Sequence, residues 1–253
     1  MQPELLFGIH SVLAALERHP ERIAGVWLDA RRRDGTLQEI RAAAHARGIA
    51  VHEVARRDLE QMQPGGHHQG VVARVAAAAG LGEGDLPALL AGLGQPAFLL
   101  VLDGVQDPHN LGACLRSADA AGVQAVIVPK DRAVGLTATV RKVASGAAES
   151  VPLVTVTNLA RTLEQLQQAG IWLVGLAGEA EQSLYELDLT GPLALVLGGE
   201  GKGLRRLTRE RCDFLGRLPM AGSVESLNVS VAAGVALFEA VRQRGVVGGP
   251  PAA

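Results

Sequence analysis

The chain has 253 residues, enough for one large domain or two small ones with a sizeable core. Its 24 basic and 26 acidic residues leave a net charge of -2, which argues against a protein that coats nucleic acid by bulk charge but leaves room for local basic patches. Although 48% of residues are hydrophobic, no run approaches the roughly 18 unbroken apolar residues of a membrane helix, and MQPELLFGIH lacks the regions of a signal peptide; a cytoplasmic protein is expected.

In chain order, FGIHSVLAALERH has the apolar spacing of an amphipathic helix, and IAGVWLDA reads as a strand. TLQEIRAAAHARG is a helix ended by Gly48, IAVHEV a second strand, and RDLEQM a short helix. A turn at His67, Gln69 and Gly70 leads into a third strand, GVVARVAA. Residues 1–76 thus form a compact unit of alternating helices and strands, small but able to fold alone. Residues 77–96, rich in Ala, Gly and Pro, read as a linker with a short helical piece at Leu86–Ala91.

At Phe98 the texture changes. FLLVLDGV, AVIVP, VPLVTV, IWLVGLA and LALVLGG are continuous apolar runs separated by helical segments. Strands apolar on both faces belong to a buried parallel sheet, so residues 97–245 read as an α/β domain closed by the helix VSVAAGVALFEAVRQR. Residues 246–253 are expected to be a disordered tail. Cys114 and Cys212 stand in separate segments and read as buried thiols, not as a disulfide or zinc framework. Only Lys130, Lys142 and Lys202 among the basic residues are lysines; the arginine excess suits phosphate contacts but follows equally from GC-rich coding. With 3% aromatics, RNA binding mainly by stacking on many rings is not expected.

In open α/β sheets chemistry gathers beyond the carboxyl ends of the strands, and three loops stand there. In DGVQDPHNLGACLRSADAAG, Pro108 favours a turn, Asn110 is placed to cap a helix starting at Leu111, and Arg116 lies in its second turn. Taken alone, Asn110 reads as a plain cap and Arg116 as a solvated helix charge beside Asp119. The second loop, LVLGGEGKGL, resembles a phosphate cradle but fails both phosphate patterns. Val196 stands where a Walker A loop needs its first glycine, Gly203 replaces the hydroxyl residue, and Leu204 or Arg206 falls on the last glycine of a dinucleotide pattern. Glu200 would also repel a phosphate, and a structural turn explains the glycines equally well. In the third loop, AGSVESLNVSVAAG, Ser226 is placed as an N-cap and Asn228 in the first turn with a free side chain. No G-x-S-x-G elbow makes Ser226 a nucleophile.

Taken together, Asn110 to Arg116, Leu197 to Leu204 and Ser226 to Ala232 resemble, in order and spacing, the three signature motifs of the SpoU/TrmH family of RNA 2'-O-ribose methyltransferases. The resemblance covers residues 97 to 244, and FGIHSVLAAL with His68 to Ala73 resembles the branch that methylates a guanosine ribose in 23S rRNA. His67 departs from the asparagine expected there. The family implies a parallel-sheet SPOUT domain with a C-terminal trefoil knot, preceded by a small α/β ribosomal-protein-like RNA-binding domain. It implies S-adenosyl-L-methionine as cofactor, held by Leu176, Leu197, Gly198, Leu218, Met220 and Leu227, and no metal.

For catalysis, the resemblance sets Arg116 on the ribose hydroxyl and the adjacent phosphate, as general base or as electrostatic stabiliser. Asn110, Glu200 and Asn228 would orient arginine and ribose, and Ser226 would hold the third loop. It further implies 23S rRNA as partner, with tRNA as the alternative, and a homodimer joined by the first-motif helix and the final helix. Phosphate contacts are expected among Arg31, Arg32, Arg33, Arg56, Arg57, Arg205 and Arg206, several of which read equally as a solvated face. Two rival classes are a non-catalytic RNA-binding or ribosome-assembly factor, which would tolerate loss of Arg116 or Asn228, and a nucleotide-dependent enzyme, which would need an intact phosphate motif.

Overall fold

The structure, a computed structural model, describes residues 4–64, 68–76, 80–201 and 203–245. His67, Lys202 and the tail 246–253 lie outside the described residues. The chain begins with β1 (Glu4–Phe7), α1 (Ile9–Arg18), β2 (Ile23–Asp29), α2 (Gly35–Ala46), β3 (Val51–Val54), α3 (Arg56–Met62) and β4 (Val71–Val75). It continues through β5 (Leu81–Gly82), α4 (Leu86–Ala91), β6 (Phe98–Asp103), α5 (Pro108–Ala120), β7 (Ala125–Pro129), α6 (Ala138–Ala144), α7 (Ala147–Ser150) and β8 (Leu153–Val156). Then follow α8 (Leu159–Gln168), β9 (Trp172–Leu176), β10 (Gln182–Ser183), β11 (Leu193–Gly198), α9 (Arg206–Arg211), β12 (Phe214–Arg217) and α10 (Val229–Gln243). Two compact units result, one of residues 1–79 with 136–150, the other of 80–135 with 151–253.

In the first unit a four-stranded sheet has the order β1-β4-β2-β3, with β4 antiparallel to both neighbours and β3 parallel to β2. Strand β1 was not foreseen; ELLF is too short to carry a period, and pairing with β4 defines it. Val12, Leu16, Leu37 and Ile40 from α1 and α2 bury against Leu6, Val26, Leu28, Val71 and Ala73. Each such side chain contributes about 1.5–3 kcal/mol through removal from water. The turn before β4 also caps α1: the Ile9 amide donates to Gln69 Oε1 at 3.0 Å, and the Gly70 amide donates to His68 Nδ1 at 3.1 Å. Residues 136–150 lie inside the expected α/β domain in sequence yet belong to this unit. Gly146 admits the contact, since a Cβ there would lie 3.1 Å from the His10 carbonyl oxygen. Arg141 and Glu149 form a buried ion pair beside it.

The second unit is built on eight parallel strands in the order β10-β12-β9-β11-β6-β7-β8-β5. Strands β6 and β7 are buried at every residue, as their unbroken apolar runs require. One face packs on Leu86, Leu159, Leu163 and Leu166 from α4 and α8. Strand alternation turns the other face to α5 and α10, which pack on each other. The stretch read as a linker is partly structural. Its helix forms at Leu86–Ala91 as expected, but Leu86 is buried in the core and β5 extends the sheet. Glu83 fastens it, accepting from the Thr157 hydroxyl at 2.7 Å and from Arg161 Nη2 at 2.6 Å.

Candidate functional site

Strands β6 and β11 lie side by side, with Gly198 in register with Asp103. From β6 the chain goes on to β7 and β8 on one side, and β9 and β12 fill the other, so the sheet changes direction at this point. The loop after β11 turns back on itself there. Gly198 and Gly199 are required by chain lying on chain: a Cβ on Gly198 would sit 1.9 Å from the Gly203 carbonyl carbon, and one on Gly199 2.4 Å from the Gly104 carbonyl oxygen. Arg205 fixes the far end of the loop. Its amide donates to Asp103 Oδ2 at 3.1 Å and its guanidinium to Oδ1 at 2.5 Å, with the Asp103 side chain fully buried. Arg205, expected among the phosphate contacts, is therefore committed to the protein.

Helix α5 begins earlier than expected. Pro108 takes the first position, where its missing amide costs nothing, and Asp107 is the cap, accepting from the His109 amide at 2.9 Å. Asn110 is thus free to reach out of the first turn. Its amide nitrogen donates to Glu200 Oε1, and its oxygen accepts from Asn228 Nδ2 at 3.1 Å. The cap of α10 is Asn228, not Ser226: Asn228 Oδ1 accepts from the Ser230 amide at 2.9 Å and from the Ser230 hydroxyl at 2.6 Å. Asn228 therefore spends its oxygen on the helix and its nitrogen on Asn110. The three loops are joined in one directional chain of hydrogen bonds, from Ser230 through Asn228 and Asn110 to Glu200.

Arg116 stands apart from this chain of bonds. It lies six residues beyond Asn110 on α5, about 9 Å along the axis and about 120° round it. It is exposed, and its side chain makes no hydrogen bond or ion pair with any described residue. Ser226 is exposed as well and makes no side-chain hydrogen bond among the described residues. Of the other arginines, Arg32 pairs with Asp34, Arg56 with Glu60, Arg57 with Asp58 and Arg206 with Glu210. Among the described residues the Arg31 and Arg33 guanidinium groups have no such partner.

Beside the network opens a cavity of about 640 Å³. Leu176, Leu197, Gly198, Leu218, Met220 and Leu227 all line it, together with Glu179, Glu225 and the amino end of α10. Sequence reading missed Glu179, Glu225, Gly216 and Ser230; of these only Ser230, two residues after a cap-forming Asn, carried a local signal. Among the described lining residues there is no lysine or arginine, while Glu179, Glu200 and Glu225 bring three carboxylates. Such a field repels a phosphate and favours a ligand with positive charge and apolar surface. Burial pushes both the Cys114 and the Cys212 thiol up to about 12, with nearby carboxylates adding to it, which disfavours the thiolate that a nucleophile needs.

The fold and site define an α/β enzyme that binds a small organic ligand at the carboxyl ends of a parallel sheet, in glycine-rich backbone instead of a phosphate cradle. The SpoU rRNA Methylase family matches residues 97–238, and an RNA 2'-O ribose methyltransferase substrate-binding domain matches residues 5–80. The chain belongs to the SpoU rRNA methylase family. It is 59% identical over 241 residues to the 23S rRNA (guanosine-2'-O-)-methyltransferase RlmB of Escherichia coli, covering 95% of this chain and 99% of that protein. The RlmB of Pseudomonas aeruginosa is 60% identical over 243 residues, covering 96% and 98%. The crystal structure of the SpoU methyltransferase AviRb from Streptomyces viridochromogenes with AdoMet superposes with a TM-score of 0.79 at 28% identity, covering 96% of this chain and 90% of that one.

Proposed function

We propose that the chain transfers a methyl group from S-adenosylmethionine to the 2'-hydroxyl of a guanosine ribose in 23S rRNA. The observation that carries this is the 59% identity along nearly the whole chain, with the three motif loops meeting beside one cavity. The residues present fit the cofactor: leucines and Met220 offer apolar surface to an adenosine, and three carboxylates suit its positive charge. When bound, the cofactor supplies an electrophilic methyl on a sulfonium. Leu176, Leu197, Gly198, Leu218, Met220 and Leu227 hold it in this reading.

A ribose hydroxyl is a weak nucleophile near neutral pH, so the chain must place it and ease the build-up of charge on its oxygen. Arg116 is assigned that task, against the hydroxyl and the neighbouring phosphate; its uncommitted guanidinium supports the assignment. A guanidinium stays protonated in proteins, which favours electrostatic stabilisation over proton removal. Asn110, Glu200 and Asn228 hold the rim on which the ribose rests, and Ser226 keeps the loop before α10 against it. The trefoil knot implied by the family belongs to the proposal, supported by the two backbone crossings at Gly198 and Gly199.

The enzyme acts in the cytoplasm as a homodimer joined through α5 and α10. Val231 and Phe238, seven residues apart on one face of α10, are 51% and 50% exposed, which supports the pairing. Mapping ribose methylation in 23S rRNA and tRNA from a strain without the gene tests the reading. Loss of one guanosine mark in 23S rRNA is expected; loss confined to tRNA replaces the substrate, and retention of every mark removes the activity.

A further inference from the structure

The sheet of the first unit has one face under α1 and α2; the other carries Phe7 and Val72, on which Leu59 of α3 packs, with Trp27 and Val54 against them. On this second face three flat side chains stand in a row across three neighbouring strands. Trp27 of β2 and His52 of β3 are register partners, and their rings stack with centroids 4.9 Å apart and planes 21° from parallel. Arg74 of β4 sets its guanidinium carbon 5.0 Å from the centre of the Trp27 ring. Gly25, opposite Arg74 in the register, makes room for this: a Cβ there would lie 3.1 Å from Trp27 Cη2, so the indole lies back along its own strand.

His52 and Arg74 are exposed and Trp27 is half-buried, so the row is open along its edge. Its charge is uncompensated. Arg74 has no ion-pair partner among the described residues, whereas Arg41 is neutralised by Glu53 at 2.6 Å. A core aromatic needs no cation beside it, whereas here the cation lies against the indole and keeps its charge for an anion from outside.

We infer that His52, Trp27 and Arg74 form a stacking row for one unpaired base of the RNA substrate: the indole is covered by His52 on one side and by Arg74 on the other, so the base extends the row on the open outer face of the His52 ring or the Arg74 guanidinium, with Arg74 also meeting the phosphate beside it. Every base offers a π-face to an imidazole or a guanidinium plane, and a phosphate offers Arg74 the anion it lacks. Bases inside a duplex have both faces covered, so the platform selects single-stranded RNA such as a loop or bulge. The inference rests on the reading that the substrate is RNA, and adds where the first unit grips it and in what form.

The test uses the full chain with Trp172→Phe, which leaves Trp27 as the only tryptophan. A mixed-sequence single-stranded oligoribonucleotide of about 12 residues, a length within the usual site sizes of single-strand binders, is titrated against Trp27 fluorescence, and the same sequence is titrated as a duplex. The single strand should quench Trp27 and the duplex should not. Trp27→Ala and Arg74→Ala should each weaken binding roughly 5- to 100-fold, and Trp27→Phe should retain most of it. Unquenched Trp27, equal quenching by duplex, or Arg74→Ala and His52→Ala proteins that bind within about twofold of the parent overturn the inference; both of those positions are exposed, so they read out even if Trp27→Ala fails to fold. Methyl transfer by the same preparation is measured separately. Transfer without quenching removes the platform alone, and quenching without transfer removes the catalytic reading alone.

Discussion

Asn110 is the residue on which the three loops depend, because a single side-chain amide satisfies Glu200 through its nitrogen and Asn228 through its oxygen. Asn110→Ala should leave the fold within about 1 kcal/mol of the parent, since the position is partly open to water. Methyl transfer should fall on the order of 100-fold, the usual consequence of misplacing reacting groups by an ångström. Thermal melting and single-turnover kinetics on one preparation check both halves. Arg116 predicts a different signature. It neither supports the fold nor lines the cavity, so Arg116→Ala should retain S-adenosylmethionine binding by calorimetry while tritium transfer to RNA disappears. Near-normal turnover of that variant would take Arg116 out of the mechanism. The motif residues could be named from sequence only through the resemblance carried by the three loops together, since each loop alone reads as a cap, a turn or a solvated charge, and their partners could not be named at all. That Asn228 caps α10 while Ser226 stays free depends on where the helix begins, and helix starts are set by competing caps only two residues apart.

Among elements, the loop after β11 shows why glycine is needed where no phosphate is bound. Gly198→Ala would press a methyl into the Gly203 backbone, which cannot yield as a side-chain tip can. The cost should be about 3 kcal/mol or more, read as a fall in melting temperature, together with loss of cofactor binding. The β5–α4 segment makes a prediction in pH. The Thr157 hydroxyl and then the Arg161 guanidinium hold the Glu83 carboxyl below its ordinary 4.5. A carboxyl with a lowered folded-state value stabilises above its unfolded value and loses that contribution as pH falls through the folded one. The melting-temperature difference between the parent and Glu83→Gln should therefore be constant above about pH 5.5 and shrink as pH drops below 4.5. A gap unchanged down to pH about 3 would show that the charge of Glu83 plays no part. The five apolar strands β6, β7, β8, β9 and β11 of the second unit were plain from their continuous apolar runs. The strands β5, β10 and β12 were not, because the two-residue edge strands β5 and β10 carry too few positions for any period, and the four residues of β12, FLGR, are no unbroken apolar run.

At the scale of the molecule, sequence order and packing part company at residues 136–150, which follow β7 in the chain but fold with the first unit. Nothing local announces this; Gly146 and the Arg141–Glu149 pair acquire their meaning only from the helix they meet. The domain matches at 5–80 and 97–238 follow the chain, whereas the compact units follow contacts. Neither of the rival classes fits the site: the cavity lining repels phosphate, and the three-loop network is intact. The central claim is that this chain methylates a guanosine ribose in 23S rRNA, and one measurement addresses it without a cell. Purified protein is incubated with methyl-tritiated S-adenosylmethionine and either a 23S rRNA transcript or bulk tRNA, and the labelled nucleoside is identified after digestion. The account predicts label in a single 2'-O-methylguanosine of the 23S transcript and none in tRNA; label on a base, on tRNA alone, or on neither RNA would contradict it.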